Sequence, residues 1–168
     1  MSERTDMTAY LSYLLERKLN PKNDTRIYTA REVTFDYGTN YTKRVDYMKF
    51  DPVNNMPGGI EQGIFSCYEI KSRVDDFRSK NGHNMLGDYN YYVMPRPVYD
   101  QVKDNIPWGV GVLCPFGENG KQELKSVRRA TKKTRKYPAS QMLLMMFRSA
   151  NRDLIITKAK LHKANKED

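Results

Sequence analysis

Apolar positions change their period several times along the 168-residue chain, and each change marks an element. Met7, Tyr10, Leu11, Leu14, Leu15 and Leu19 recur at helical spacing, which predicts a helix over residues 5–19, stopped by Asn20-Pro21. Residues 27–35 alternate loosely and are rich in β-branched and aromatic side chains, the signature of a strand. A turn at 36–40 leads to a second strand over 44–50. Its alternation puts Val45, Tyr47 and Lys49 on one face and Asp46, Met48 and Phe50 on the other. Residues 52–59 read as a loop, 64–72 as a third strand, and 75–81 as a helix bounded by Gly82 and Gly87. A short apolar strand at 90–94 ends at Pro95, and one or two helical turns follow at 99–104. Two more strands are expected at 109–114 and 124–129, then a long helix over 140–163. In that helix Leu143, Met146, Phe147, Ala150, Leu154 and Leu161 form one stripe, opposite a face of Arg and Lys. The order predicts a mixed sheet of the α+β type with helices packed on it.

Length fits a single domain spanning 1–168, with a core over about 5–115. Apolar residues make up 39% and mean hydropathy is −0.79, the balance of a small domain with a large charged surface. No apolar run approaches the roughly 18 residues that span a bilayer, and residues 1–6 are too polar for a signal peptide. Two cysteines, Cys67 and Cys114, both in apolar runs, make no disulfide framework, so an intracellular, reducing compartment such as the cytoplasm is expected.

The formal charge is +9, and it is unevenly spread. Residues 121–168 hold 14 Lys/Arg against 4 Asp/Glu, while 1–120 hold 15 against 16, so the excess lies in a basic C-terminal extension. Its densest run is Arg128, Arg129, Lys132, Lys133, Arg135 and Lys136. Such a cluster attracts polyanions, nucleic acid above all, or serves as a solvated basic edge.

Asp46, Glu69 and Lys71 form the constellation that carries chemistry. Glu69 and Lys71, two apart on a strand, project from the same face, and Ile70 points the other way. Asp46 lies on the neighbouring strand, where cross-strand β-carbons approach to about 5 Å. Two carboxylates at that range suit Mg²⁺ or Mn²⁺, and a lysine beside them can orient a water: the parts of metal-assisted phosphodiester hydrolysis.

These residues resemble the PD-(D/E)xK nuclease superfamily, whose restriction-endonuclease-like core runs helix, three-stranded meander, helix, strand. The likeness is greatest to the MmcB-like DNA repair nucleases and covers about residues 26–160. It is carried by Arg44-Val45-Asp46, by Glu69-Ile70-Lys71-Ser72 with Asp76-Phe77-Arg78-Ser79, by Asp88 before Tyr91-Tyr92-Val93, by the Gly109–Leu113 strand, and by the basic terminal helix. No proline precedes Asp46, residues 51–63 look like an inserted loop, and Lys80-Asn81-Gly82-His83 replaces an acidic residue and a Lys-Trp pair.

The resemblance implies that Asp46, Glu69 and the Ile70 carbonyl hold the metal, with Lys71 positioning the water. Glu32 resembles a further metal-site acid, and Glu16 competes for that role. Ser72, Arg73, Lys80, Arg128, Arg129, Lys132, Lys133 and Arg135 are expected to contact DNA, double-stranded or branched, mainly through phosphates. The expected activity is a metal-dependent deoxyribonuclease in repair, recombination or a phage or mobile-element context. A homodimer is an option, with the terminal helix as its one interface signal. The alternatives are a nuclease-fold protein that only binds nucleic acid or a protein partner, and a basic architectural DNA binder.

Blander roles fit several other residues. Asp75 and Asp76 read as first-turn acids of a helix, and Asp51 as a turn residue. His83 and His162 lack partners at zinc-ligand spacing. Tyr89, Tyr91 and Tyr92 read as sheet packing rather than base-stacking platforms.

Overall fold

The computed structural model describes residues 3–79, 81–118 and 121–167. It is a mixed α/β fold around one six-stranded sheet. Helix α1 (Glu3–Leu19) precedes an antiparallel meander of β1 (Tyr28–Phe35), β2 (Lys43–Asp51) and β3 (Ile64–Ile70). The short helix α2 (Pro57–Glu61) interrupts the β2–β3 connection. Helix α3 (Val74–Arg78) crosses to β4 (Tyr89–Val93), which runs parallel to β3. Helix α4 (Arg96–Val102) and a 3₁₀ turn (Lys103–Asn105) cross to β5 (Gly111–Phe116), parallel to β4. Strand β6 (Glu123–Arg128) closes the far edge antiparallel to β5, and α5 (Ala139–Glu167) ends the fold. The strands lie in the sheet in chain order.

Leu11, Leu14, Leu15 and Leu19 cover one face of the sheet, packing with Tyr47, Tyr68, Ile70, Val93, Leu113 and Leu124. Asn20 stops α1 by bonding the Asp24 amide and carbonyl with its side chain. The other face carries two clusters. Ala139, Met142 and Met146 of α5 pack on Val33, Phe35, Val45, Met48, Phe65 and Cys67. Phe77, Val98, Val102 and Ile106 pack on Tyr92, Val112 and Cys114. Tyr91 stacks on Tyr68, with ring centroids 5.1 Å apart, and Tyr92 is fully buried, so both serve sheet packing.

Four expectations need correction. The 52–59 loop carries the first turns of α2, because Pro57 occupies a first-turn position where its missing N–H costs nothing. Strand β5 continues through Pro115, since its pairs with β4 stop at Leu113 and no donor is required on that side. Val45 does not share a face with Tyr47: it joins Met48 and Phe50 in the α5 core. The break lies at the level of Glu32 of β1, whose φ of +51° interrupts the side-chain alternation of its own strand. The α5 stripe is only part core: Met146 is buried, Phe147 is exposed although α5 still lies on β1 at Ser149, and Leu154 and Leu161 are exposed on the stretch that follows Ser149 and Arg152.

Candidate active site

Three acids lie in one row across the sheet. Glu32 and Asp46 stand opposite each other, between the pairs Arg31–Tyr47 and Val33–Val45. Asp46 is also one step beyond the Tyr47–Tyr68 pair, which sets it against Glu69. The backbone kink at Glu32 is held from above by α5: Ser149 Oγ donates to the Arg31 carbonyl, and Arg152 donates to the Arg31 and Glu32 carbonyls, both at 3.3 Å.

Asp46 Oδ2 accepts the Ile70 N–H at 2.8 Å. Burial raises the pKa of Asp46, this hydrogen bond opposes the rise, and nearby Glu32 adds to it. Glu69 is 1% exposed, and neither of its carboxylate oxygens has a hydrogen-bond partner of ordinary geometry. Burial, then the neighbouring Asp46, push its pKa up to about 9, with Lys71, the Asn84 amide and Arg44 opposing. An unsatisfied buried carboxyl group costs on the order of 1–3 kcal/mol, and more if ionised. A folded chain that retains one has a use for it or a partner for it.

Lys71 is buried on the same side of β3 as Glu69. Its backbone N–H donates to the Val93 carbonyl, which carries the β3–β4 ladder one residue further. Its Nζ donates to the carbonyls of Asn81 at 2.6 Å and Asp76 at 3.3 Å. Burial lowers its pKa, with Asp76, Glu69 and Asp46 holding it back. Gly82, at φ +66°, closes the floor: a methyl group there would stand 2.8 Å from Lys71 Nζ and 3.1 Å from Glu69 Oε2. The ammonium and the carboxylate thus converge on one glycine.

His83 pins this loop. One ring nitrogen lies 2.9 Å from the Phe77 and Ser79 carbonyls and so carries a proton; the other lies 2.5 Å from Tyr92 Oη. Asn84 ties the loop to β2 by donating to the Arg44 carbonyl at 2.8 Å.

Asp46 sits where two clefts meet. One, of about 650 Å³, is lined among others by Ser12, Glu16, Arg31, Glu32, Arg44 and Ile70. The other, of about 480 Å³, is lined by Thr34, Tyr37, Thr42, Arg44, Asn81, Gly82 and Asn84. Arg44 borders both.

The remaining expected residues divide. Glu32 pairs with Arg44 at 2.8 Å at the cleft rim. Glu16 accepts from Tyr47 Oη at 2.9 Å and Arg31 at 3.1 Å. Among the described residues, no group of three or more His, Cys, Asp or Glu is gathered tightly enough to hold a metal ion. Ser72 is buried, and its hydroxyl, like the Glu69 carboxyl group, has no hydrogen-bond partner. Arg73 is exposed at the start of α3. Lys80 lies outside the described residues.

The basic run does not gather at the acids. Arg135 donates to the Glu61 and Gly63 carbonyls at 2.6 and 2.8 Å and lies 3.4 Å from Asp88, at the far end of β3 from Glu69. Arg128 donates to the carbonyls of Lys103, Ile106 and Pro107. Both are structural ties. Arg129 and Lys132 are exposed, and Lys133 is half-buried.

Sequence reasoning missed Arg44 as a cleft residue, although it stands two before Asp46. It also missed Asp76, whose carboxylate accepts the Ser72 N–H at 3.2 Å and whose carbonyl accepts from Lys71. Asp76 is the first-turn acid expected, and it lines the larger cleft as well.

The chain matches no family model, and no curated protein is detectably similar to it. Among solved structures it is similar to a protein of unknown function from Silicibacter pomeroyi. The TM-score is 0.57 at 17% identity, over 92% of this chain and 90% of that one. That likeness is one of fold.

Proposed function

We propose that this chain is a metal-dependent phosphodiesterase acting on DNA, built on a restriction-endonuclease-like core. The observation that carries the reading is Glu69: a buried carboxyl group whose oxygens have no hydrogen-bond partner of ordinary geometry, beside Asp46 and sharing Gly82 with the Lys71 ammonium. The order α1, meander, α3, parallel β4 supports it, being the order that the PD-(D/E)xK resemblance implies.

The donor set fits a divalent cation. Asp46 and Glu69 supply hard oxygens, and the resemblance adds the Ile70 carbonyl. When bound, Mg²⁺ or Mn²⁺ would lower the pKa of a water and offset charge on the phosphate. The chain's own residues do the rest. The Ile70 amide fixes Asp46 Oδ2, leaving Oδ1 for a ligand. The Asn81 and Asp76 carbonyls hold the Lys71 Nζ beside Glu69, where it can keep a proton near an attacking water. Arg44 and Arg31 also line the larger cleft, paired with Glu32 and with Glu16, so a phosphate there would have to share or displace those carboxylates.

A second reading, a nuclease fold that binds without cutting, is favoured by one observation: Glu32 is paired with Arg44 rather than turned to Asp46 and Glu69. The two part in one assay. Plasmid, single-stranded and branched DNA are incubated with Mg²⁺, Mn²⁺ or EDTA, using wild type, Glu69→Gln and Lys71→Ala. Metal-dependent cutting that both variants lose supports the enzyme. Salt-sensitive binding with no cutting by wild type overturns it in favour of the second reading, and cutting that survives both variants overturns the assigned site.

A further inference from the structure

We propose that Trp108 and the exposed cations of residues 129–133 form a platform for unpaired nucleic acid, separate from the acid pair. The inference rests on the proposed function only for the class of ligand, not for cleavage. Trp108 is the chain's one tryptophan and is 76% exposed. An indole so placed forgoes the burial that usually stabilises this side chain, so its position calls for another role.

The indole is carried on a rigid mount. It occupies the tip of a turn closed by Val110 N–H donating to the Pro107 carbonyl at 3.2 Å, with Gly109 at φ +79° in the position that demands it. Arg128 grips the Pro107 carbonyl at 3.3 Å and the Ile106 carbonyl at 3.2 Å. The Thr131 N–H donates to the Gly109 carbonyl at 3.0 Å. A methyl group on Gly109 would stand 2.6 Å from both Lys133 Cε and Thr131 Oγ1, so the basic strap lies directly against the turn. Lys133 Nζ sits 6.0 Å from the indole centroid, and Arg129 and Lys132 are exposed on the same strap. Of the acids nearby, Asp88 is turned to the Phe65 amide and Arg135, which leaves exposed Asp104 of the 3₁₀ turn as one negative charge against three cations.

An exposed aromatic face on a held turn, with the Lys133 ammonium beside it and Arg129 and Lys132 on the same strap, suits a base stacked on the ring with its flanking phosphates on the cations. Duplex DNA offers the phosphates but keeps its bases stacked on each other. The fit is therefore to a single strand, DNA or RNA.

Because there is one tryptophan, its emission reads this site alone. The full wild-type chain in EDTA is titrated with oligothymidylate, oligouridylate, a duplex of equal length and polyglutamate at fixed salt. Saturable quenching is expected from the single strands and not from the duplex or polyglutamate. The ratio of the two oligonucleotide affinities tells DNA from RNA. By anisotropy of a labelled strand, Trp108→Ala should weaken binding about tenfold or more, and Trp108→Phe should recover most of it. Lys132→Ala should reduce the salt slope by about 1. Unchanged emission, equal quenching by duplex or polyglutamate, or full affinity in Trp108→Ala overturns the proposal. Quenching without any metal-dependent cutting defeats the nuclease reading and leaves this one standing; cutting with an unperturbed indole does the reverse.

Discussion

Asp46 on one strand is bonded through its carboxylate to the backbone amide of Ile70, the residue that follows Glu69 on the next strand, at 2.8 Å. One interaction thus fixes both the distance between the two acids and the register at the end of the β2–β3 pair. It also separates two effects of mutation. Asp46→Asn keeps an oxygen for the amide and removes the charge; Asp46→Ala leaves a half-buried N–H without a partner. Both should abolish metal-dependent cleavage. Only the alanine variant should also lose stability, by about 1–3 kcal/mol in chemical denaturation. Equal destabilisation by both would mean the hydrogen bond contributes little.

Glu69 should make the stability of the fold sensitive to pH. Its ordinary pKa of 4.5 rises to about 9 in the fold, so the folded state holds the proton more tightly than the unfolded chain. The associated stability is complete below pH 4.5 and is lost as pH climbs towards 9. Asp46, also raised, acts in the same direction. Lys71, lowered, acts in the opposite one, its penalty fading as pH rises. In EDTA, the wild-type Tm should therefore fall between about pH 5 and pH 9, and Glu69→Gln should flatten the curve. At pH 8 the variant should melt several degrees above wild type, while Mn²⁺ should raise the Tm of wild type alone. A variant that melts lower than wild type at pH 8 would remove the strain assigned to this carboxyl group.

Gly82 sets how closely the ammonium and carboxylate converge. An alanine there would meet Lys71 Nζ at 2.8 Å and adopt a left-handed φ that disfavours any side chain. Gly82→Ala should cost about 1 kcal/mol of stability and at least tenfold in cleavage, because Lys71 must leave its two carbonyls. Full activity in this variant would show that the Lys71 position is not critical.

The element order could be read from the chain because each element announces itself locally. The leucines of α1 repeat at helical spacing, and Asn20 carries a visible stop signal. The candidate pair was legible for the same reason: Glu69 and Lys71 share a face by strand geometry alone, and Asp46 needed only an antiparallel neighbour. What escaped were features set by distant chain segments. The reversal at Glu32 is held by Ser149 and Arg152, over a hundred residues away. The exposure of Leu154 and Leu161 depends on how far α5 runs on after Ser149 and Arg152 bond β1, which periodicity does not encode. Nor does the density of charge at 128–136 reveal that two of its arginines are spent on backbone carbonyls.

Those two arginines should behave unlike their neighbours. Arg135 bridges the Glu61 and Gly63 carbonyls and reaches Asp88, which is 6% exposed and would keep a buried charge with one donor fewer. Arg135→Ala should destabilise the fold by about 1–3 kcal/mol. Lys132, exposed on the same strap, should shift stability by less than about 0.5 kcal/mol when changed to alanine. For nucleic-acid binding the order should invert once the Arg135 variant is assayed well below its melting temperature: Lys132→Ala weakens affinity and Arg135→Ala leaves it within about twofold, because an arginine whose donors are already engaged has few to offer a phosphate. Denaturant melts and salt-dependent anisotropy on both variants check this. A strong binding loss in Arg135→Ala with unchanged stability would return that residue to the nucleic-acid surface.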